Sequence, residues 1–373
     1  MLTQDYQSNV ARIREKYNTV TTFDNGDITR QYNIVSAALT NFLPEVSFVK
    51  HHEIFRDILF HQHLSNFDQD KPTVLENCQL ENFSQDLLTR LQTSASIICT
   101  FHLGSYRLLN LFLATNKVPF SLVVSENVVR EQGKLFDELH ERFGAGNISL
   151  IAAEAPNSAL AMMKELKKGR NLLIYIDGNT GSGDATLHND NGCSISFLNQ
   201  RIVARKGIGF LAHAAGVPVL PAICYRPSEL DVRIRFFDLI MPDKSQERTE
   251  FAHALVQRIY DIASPFIKQY PEQWEAWLYL PKVTQVINKF PRGITGKWSL
   301  RSSAFVFNSM RFGLFKTSKR PYLFDKESFV SYPIASSLYA TLLKAISDPV
   351  DKSSFEAKIF DELYKNEVLI CDV

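Results

Sequence analysis

The residue whose type and place best suit chemistry is His102. It directly follows the apolar run SIICTF (96–101) and begins the hexapeptide HLGSYR (102–107), ahead of an amphipathic segment. A side chain at a strand-to-helix turn is exposed at the carboxyl edge of a sheet, where open α/β sheets hold their ligands. An imidazole there titrates near pH 6.5, which suits general-base work. Gly104 would let the backbone come close to a ligand, and the amides of the helix start would stabilise a developing oxyanion. Gly104 and Ser105 are therefore candidate substrate contacts, together with Asn179 in the Gly/Asn/Asp-rich loop DGNTGSGDATLHNDNG (177–192). Cys193, beside that loop, offers a Cys–His pair and a covalent acyl-enzyme step; a small cysteine at the start of an apolar run is more simply packed. The loop's Asp and Asn residues do not follow calcium-loop spacing, and the five cysteines are scattered without a CxxC pair. Neither a metal, a disulfide framework nor an organic cofactor is expected.

The elements that must position His102 lie on both sides of it. Residues 1–95 read as a mainly helical N-terminal region, with Asn82 or Ser84 as an N-cap before LENFSQDLLTRL continues its apolar stripe. From 96 to 285, short apolar runs alternate with helical segments. SIICTF, FSLVV (120–124), ISLI (148–151), NLLIYID (171–177), SISFL (194–198), VPVLPAICY (217–225) and VRIRFFDLI (232–240) read as strands. Helices are predicted near 105–116, 128–143, 157–168 (Asn157 as cap, Gly169 as stop), 201–215 and 248–269. This alternation implies an α/β core, a central and mostly parallel sheet flanked by helices. Trp274 and Trp277 read as core. Residues 286–324 form a basic, aromatic linker, and 325–373 a small module of helix, helix and strand. Pro333 opens the first of these helices; Phe355, Ile359, Phe360 and Leu363 mark the second.

Composition narrows the function. Hydrophobic residues are 45% and charged residues 22%, and 41 Lys and Arg face 40 Asp and Glu. That balance gives no global grip on nucleic acid, so no nucleic-acid partner is expected. The N-terminal MLTQDYQSNVARIREKYN lacks a signal-peptide core, and no apolar stretch reaches the roughly 18 residues of a membrane span. With cysteines this sparse, a soluble, cytoplasmic protein is expected, peripheral to a membrane at most.

HLGSYR resembles the His-x4-Asp/Glu motif of the lysophospholipid acyltransferase-like superfamily, especially the bacterial lipid A late acyltransferases. The resemblance continues in order through VVSENVVREQGKLFDELHERFG (123–144), KELKKGRNLLIYIDGN (164–179), SFLNQRIVARKGIGFLAHAAGVPVLPA (196–222) and PEQW (271–274), covering residues 95–285. It implies a glycerolphosphate/lipid A acyltransferase-like core in which His102 deprotonates an acceptor. Arg130 matches a family position for substrate phosphate or carboxylate, and Arg201 and Arg205 fall in its substrate-contacting region. Arg142 reads as a solvated helix-end charge. The departure is Arg107, which stands where the family has the acid that orients the histidine. An arginine is permanently cationic and cannot do this. Asp177 or Glu126 is the expected substitute, a backbone carbonyl could fix the ring instead, and Arg107 would be left to hold a phosphate of the donor's pantetheine arm.

The expected function is acyl transfer from acyl-coenzyme A or an acyl-carrier protein to an amine or hydroxyl of a soluble small molecule or peptide. Two alternatives remain, a peripheral-membrane lipid acyltransferase and a non-catalytic acyl- or carrier-binding member. Residues 276–324 contain no Asp or Glu, but carry nine Lys or Arg interleaved with Phe290, Trp298, Phe305, Phe307, Phe312, Phe315 and Tyr322. An acidic acyl carrier protein is the expected partner of that face, with an anionic membrane surface as the alternative. The tail 325–373 faintly resembles small winged-helix peptide-binding domains.

Overall fold

The computed structural model describes residues 2–21, 26–131, 141, 148–178, 192–285, 304–318 and 320–371. The chain divides into two compact units, Met1–Thr19 with Arg56–Ala276, and Val20–Phe55 with Trp277–Val373. This division cuts across the four consecutive segments expected from the sequence, because residues 20–55 group with the C-terminal part.

The N-terminal region is mainly helical, as expected: α1 (Gln4–Asn18), α2 (Gly26–Phe42), α3 (His51–Asp68), α4 (Pro72–Glu76) and α5 (Gln85–Thr93). Ser84 caps α5, its hydroxyl accepting the Leu87 N–H at 3.1 Å. One short strand, β1 (Gln79–Glu81), was not foreseen. The first unit is then built on β2 (Ile97–Thr100), β3 (Phe120–Val124), β4 (Ile148–Ala152) and β5 (Asn171–Tyr175), a hairpin of β6 (Gly192–Phe197) and β7 (Gln200–Arg205), and β8 (Val219–Ser228) and β9 (Asp231–Phe236). Seven of these strands form one sheet in the order β1-β9-β8-β2-β5-β3-β4. It is parallel from β8 through β4, and only the β8–β9 step is antiparallel. The mixed α/β class with a mostly parallel sheet is therefore as the alternating pattern implied.

Helix α6 (Leu108–Thr115) follows β2, α7 (Ser158–Lys167) follows β4, and α8 (Gly207–Ala215) and α9 (Arg248–Gln269) pack on each other. Every residue of α6 from Leu108 to Ala114 is buried, and the one polar side chain among them, Asn110, accepts from the Tyr175 hydroxyl at 2.9 Å. Each of its four buried leucines contributes about 1.5–3 kcal/mol by leaving water. Residues 126–131 are helical, at the start of the helix expected near 128–143; the rest of that expected helix, apart from residue 141, lies outside the described residues.

Two expectations are corrected. SISFL is not part of the central sheet but of the β6–β7 hairpin, and residues 201–205, expected to begin a helix, are strand β7. The reason is local. Leu198 takes φ 50° in a two-residue loop between Phe197 and Gln200, the left-handed conformation that closes tight hairpins. The β-branched pair Ile202–Val203 then continues as strand.

In the second unit, β10 (Thr284–Gln285) precedes two antiparallel three-stranded sheets. One orders β15 (Val350–Asp351), β11 (Ala304–Phe307) and β16 (Leu369–Cys371); the other β12 (Phe312–Thr317), β13 (Arg320–Asp325) and β14 (Val330–Pro333). Helices α10 (Ser336–Ser347) and α11 (Ala357–Lys365) share one core with Phe305, Phe307, Phe312 and Leu323. The expected boundary at 324/325 therefore falls inside β13. Pro333 ends a strand, and α10 begins three residues later. The described aromatic residues of the basic stretch are structural: Phe305, Phe307, Phe312 and Phe315 are buried, and Tyr322 stacks on Phe315. Phe290 and Trp298 lie outside the described residues.

Candidate active site

Parallel neighbouring strands bring the two central groups together. β2 and β5 pair with Thr100 opposite Tyr175, and His102 and Asp177 each stand two residues further along. The ladder runs one step past the strands, with the Ile176 N–H donating to the Thr100 carbonyl at 2.9 Å. Both side chains therefore emerge at the carboxyl edge of the sheet, side by side. His102 Nδ1 lies 2.8 Å from Asp177 Oδ1. A carboxylate accepts, so Nδ1 carries the proton and Nε2 is the ring's basic nitrogen. The imidazole keeps 22% of its accessible surface against 2% for the carboxylate, so the base can be reached while its partner is enclosed.

Asp177 is held from three directions. The backbone N–H of His102 donates to both carboxylate oxygens at 3.0 and 3.1 Å, and the Trp274 indole N–H donates to Oδ2 at 2.7 Å. Burial by itself favours the neutral ring of His102. The charge and hydrogen bond of Asp177, with the charge of Glu275, outweigh that and raise its pKa above the ordinary 6.5, against the opposing charge of Arg107. The ring sits in an aromatic corner, with Tyr106 and Tyr175 each at 4.8 Å between centroids.

The segment 271–275 holds the turn from behind. Gly104 donates its N–H to the Gln273 carbonyl at 3.0 Å, and Glu275 donates its N–H to the His102 carbonyl at 3.0 Å. The Gln273 side chain bonds both backbone groups of Arg226 on β8, at 2.8 and 2.6 Å. Gly104 has φ +56°, and a Cβ there would meet the Cys224 carbonyl oxygen and Tyr225 Cα at 3.0 Å. The close approach that requires a glycine is thus to strand β8 and not to a ligand, and the Gly104 amide is already spent on Gln273.

The other expected residues fall into distinct places. Ser105 is buried: its hydroxyl donates to Asp68 at 2.6 Å and accepts from Arg226 at 2.9 Å. Asp68 also pairs directly with Arg226 and accepts from Tyr6 at 2.9 Å, a fully enclosed and hydrogen-bonded ion pair. Arg107 lies over the Tyr106 ring at 4.4 Å, donates to Ser65 at 3.2 Å and is 3.8 Å from Glu275 Oε1. It stands beside the dyad with a carboxylate of its own. Glu126 is exposed, with its backbone N–H on Glu154 at 3.0 Å, and the carboxylate on the His102 ring is that of Asp177. Arg130 is exposed and bonds Asn127 at 2.8 Å. Arg201 reaches across the hairpin to the Ser194 hydroxyl and carbonyl at 3.0 and 3.1 Å. Arg205 is partly buried on the same strand, and that burial lowers its pKa against the charge of Glu154. Cys193 donates its thiol to the Ala204 carbonyl at 3.6 Å, and burial raises its pKa, which keeps it protonated. Asn179 and Arg142 lie outside the described residues.

No protein-family model matches the chain, and no curated protein matches it. What can be said of the site therefore rests on its geometry. Sequence reasoning missed Glu275, Tyr175 and the second role of Trp274, which is buried core and also a donor to the central carboxylate. The signal was present in PEQW, since a buried tryptophan needs an acceptor for its N–H.

Proposed function

We propose that the chain is an acyltransferase of the lysophospholipid acyltransferase-like kind, with His102 as general base and Asp177 in place of the acid missing at Arg107. The observation that carries this reading is the 2.8 Å contact between His102 Nδ1 and Asp177, made from the end of the adjacent parallel strand. In the reaction, His102 Nε2 takes the proton of an acceptor amine or hydroxyl as that atom attacks the thioester carbonyl. The carbon–sulfur bond then breaks, and the protonated ring returns the proton to the leaving thiolate. Asp177 keeps the proton on Nδ1 and offsets the imidazolium charge while the proton is held.

The donor is an acyl-coenzyme A or acyl-carrier thioester, and the acceptor a small molecule or peptide. Among the described residues no helix is long and apolar enough to cross a membrane. In the same proposal the helix–strand–helix–strand tail is a winged-helix-like module, and the basic face meets an acidic carrier protein.

The test is thiol release from a panel of acyl-coenzyme A and acyl-carrier thioesters with amine and alcohol acceptors, comparing the protein with His102→Ala and checking products by intact mass. Acceptor-dependent release that vanishes in the variant supports the reading. Equal background release from both proteins across the panel overturns it.

A further inference from the structure

The second unit contains a cavity of about 480 Å³, within the size range of small-molecule sites. Its walls are mostly aromatic and aliphatic: Tyr32, Phe48, Phe307, Phe312, Leu314 and Ile346. One charged residue also lines it, Lys326, which is 1% exposed. The ammonium sits among the lining residues. It donates to the Ser309 carbonyl at 2.8 Å, and lies 4.7 Å from the Phe48 ring centroid and 5.8 Å from that of Tyr32. Among the described residues no ion pair involves it.

The acidic neighbours on its own segment are engaged elsewhere. Glu327 pairs with Arg311 at 3.3 Å, and Asp325 is 3.9 Å from the same guanidinium. The other titratable groups facing the cavity are Tyr32 on α2, His52 on α3 and Tyr339 on α10, which has Lys316 over its ring at 4.6 Å. His51, hydrogen-bonded to Ser36 at 3.0 Å, is close enough to feel the Lys326 charge. None of these is an anion near neutral pH. Isolated charges are costly to bury, and natural proteins pair them. An enclosed amine with no carboxylate beside it among the described residues, set in a mostly apolar wall, is chemically matched by an anion carried on an apolar body.

We propose that this cavity binds a small organic monocarboxylate with an aromatic or branched apolar body, its carboxylate paired with the Lys326 ammonium. Gly313 keeps the wall open in a particular way: a Cβ there would fall 2.2 Å from Asn33 Oδ1, so only glycine lets Asn33 stand at the wall and donate to the Leu314 carbonyl at 3.0 Å. Burial lowers the Lys326 pKa to about 7. A carboxylate therefore binds together with one proton drawn from solvent whenever the amine starts neutral.

The experiment is isothermal titration calorimetry of the full chain with 4-phenylbutyrate and 5-methylhexanoate, against 4-phenylbutanol and 5-methylhexanol, in two buffers of different ionisation enthalpy. The expected result at pH 8 is saturable acid binding at least tenfold tighter than that of the matched alcohol, with close to one proton taken up per acid. Acid affinity falls about tenfold per pH unit above 8, and Lys326→Met brings acid binding down to the alcohol's level. Alcohols binding as well as acids, acid binding without proton uptake, or no saturable binding of either acid at millimolar concentration would each overturn the proposal. The first two readouts use the unmodified protein, so they stand even where the variant fails to fold.

Discussion

His102 and Lys326 are basic side chains enclosed in different units, and their surroundings push them in opposite directions. His102 has Asp177 at 2.8 Å, held in turn by Trp274, and its pKa rises above 6.5 despite burial. Lys326 has a carbonyl and two aromatic rings but, among the described residues, no carboxylate, and burial lowers its pKa to about 7. Arg226 marks a third case, a permanent cation enclosed with Asp68, Ser105 and Tyr6 around it. Burial is common to all three. What differs is the counter-charge, and that decides whether the charged form is favoured, disfavoured or locked in place.

The largest effect expected is on the rate. His102→Ala lowers acceptor-dependent thiol release about 10³–10⁴-fold, and Asp177→Asn, which keeps the shape and removes the charge, lowers it about 10²–10⁴-fold. An Asp177→Asn protein with wild-type turnover would break the contrast at once.

Next comes the clamp. Asp68→Ala leaves Arg226 enclosed without its partner and costs about 3–5 kcal/mol in urea unfolding. A loss under about 1 kcal/mol would mean that the guanidinium finds water.

The two titrating groups predict opposite pH slopes of stability. The His102 pKa is raised by folding, so its contribution is full below pH 6.5 and is lost as pH rises through the folded value. The Lys326 pKa is lowered by folding from 10.5 to about 7. The unfolded chain then holds more protons, and stability rises with pH between about 7 and 10.5, by on the order of a few kcal/mol. Calorimetric melting of Lys326→Met across this window should lack that rise; an unchanged slope would show that Lys326 is solvated.

The smallest effect sharpens the dyad. Trp274→Phe removes one of the donors to Asp177 and lowers the rate about tenfold, the worth of a hydrogen bond to a charged acceptor. Wild-type turnover in this variant would show that the backbone donors suffice.

Much of this was legible in the chain. The apolar runs FSLVV and NLLIYID mark strands, and a parallel sheet was implied by their alternation with helices. His102 was legible because it directly follows the apolar run SIICTF. Asp177 was one of two acids named, and what separates it from Glu126 is strand order: β5 is the neighbour of β2, and no local pattern encodes that. One misreading had a local cause. Residues 201–205 hide a strand because the hairpin turns on Leu198, a residue that seldom takes positive φ. Of the aromatic residues interleaved in 276–324, Phe305 and Phe307 alternate along a strand and are buried on one side of it, which the spacing alone does not separate from an exposed stripe. Ser105 and Gly104 sit in a motif, yet their side-chain and backbone partners are Asp68, Arg226 and Gln273, contributed from distant parts of the chain. Lys326 gave no sequence signal, because an unpaired buried lysine looks like any surface lysine until the fold encloses it.

The central claim is that Asp177 supplies to His102 the carboxylate that HLGSYR lacks. The most direct measurement is an NMR titration of the His102 ring, assigned by its loss in His102→Ala, in the wild-type protein and in Asp177→Asn. The account predicts a midpoint above 6.5 in the wild type that falls in the variant. A wild-type midpoint below 6.5, or the same midpoint in both proteins, would contradict it.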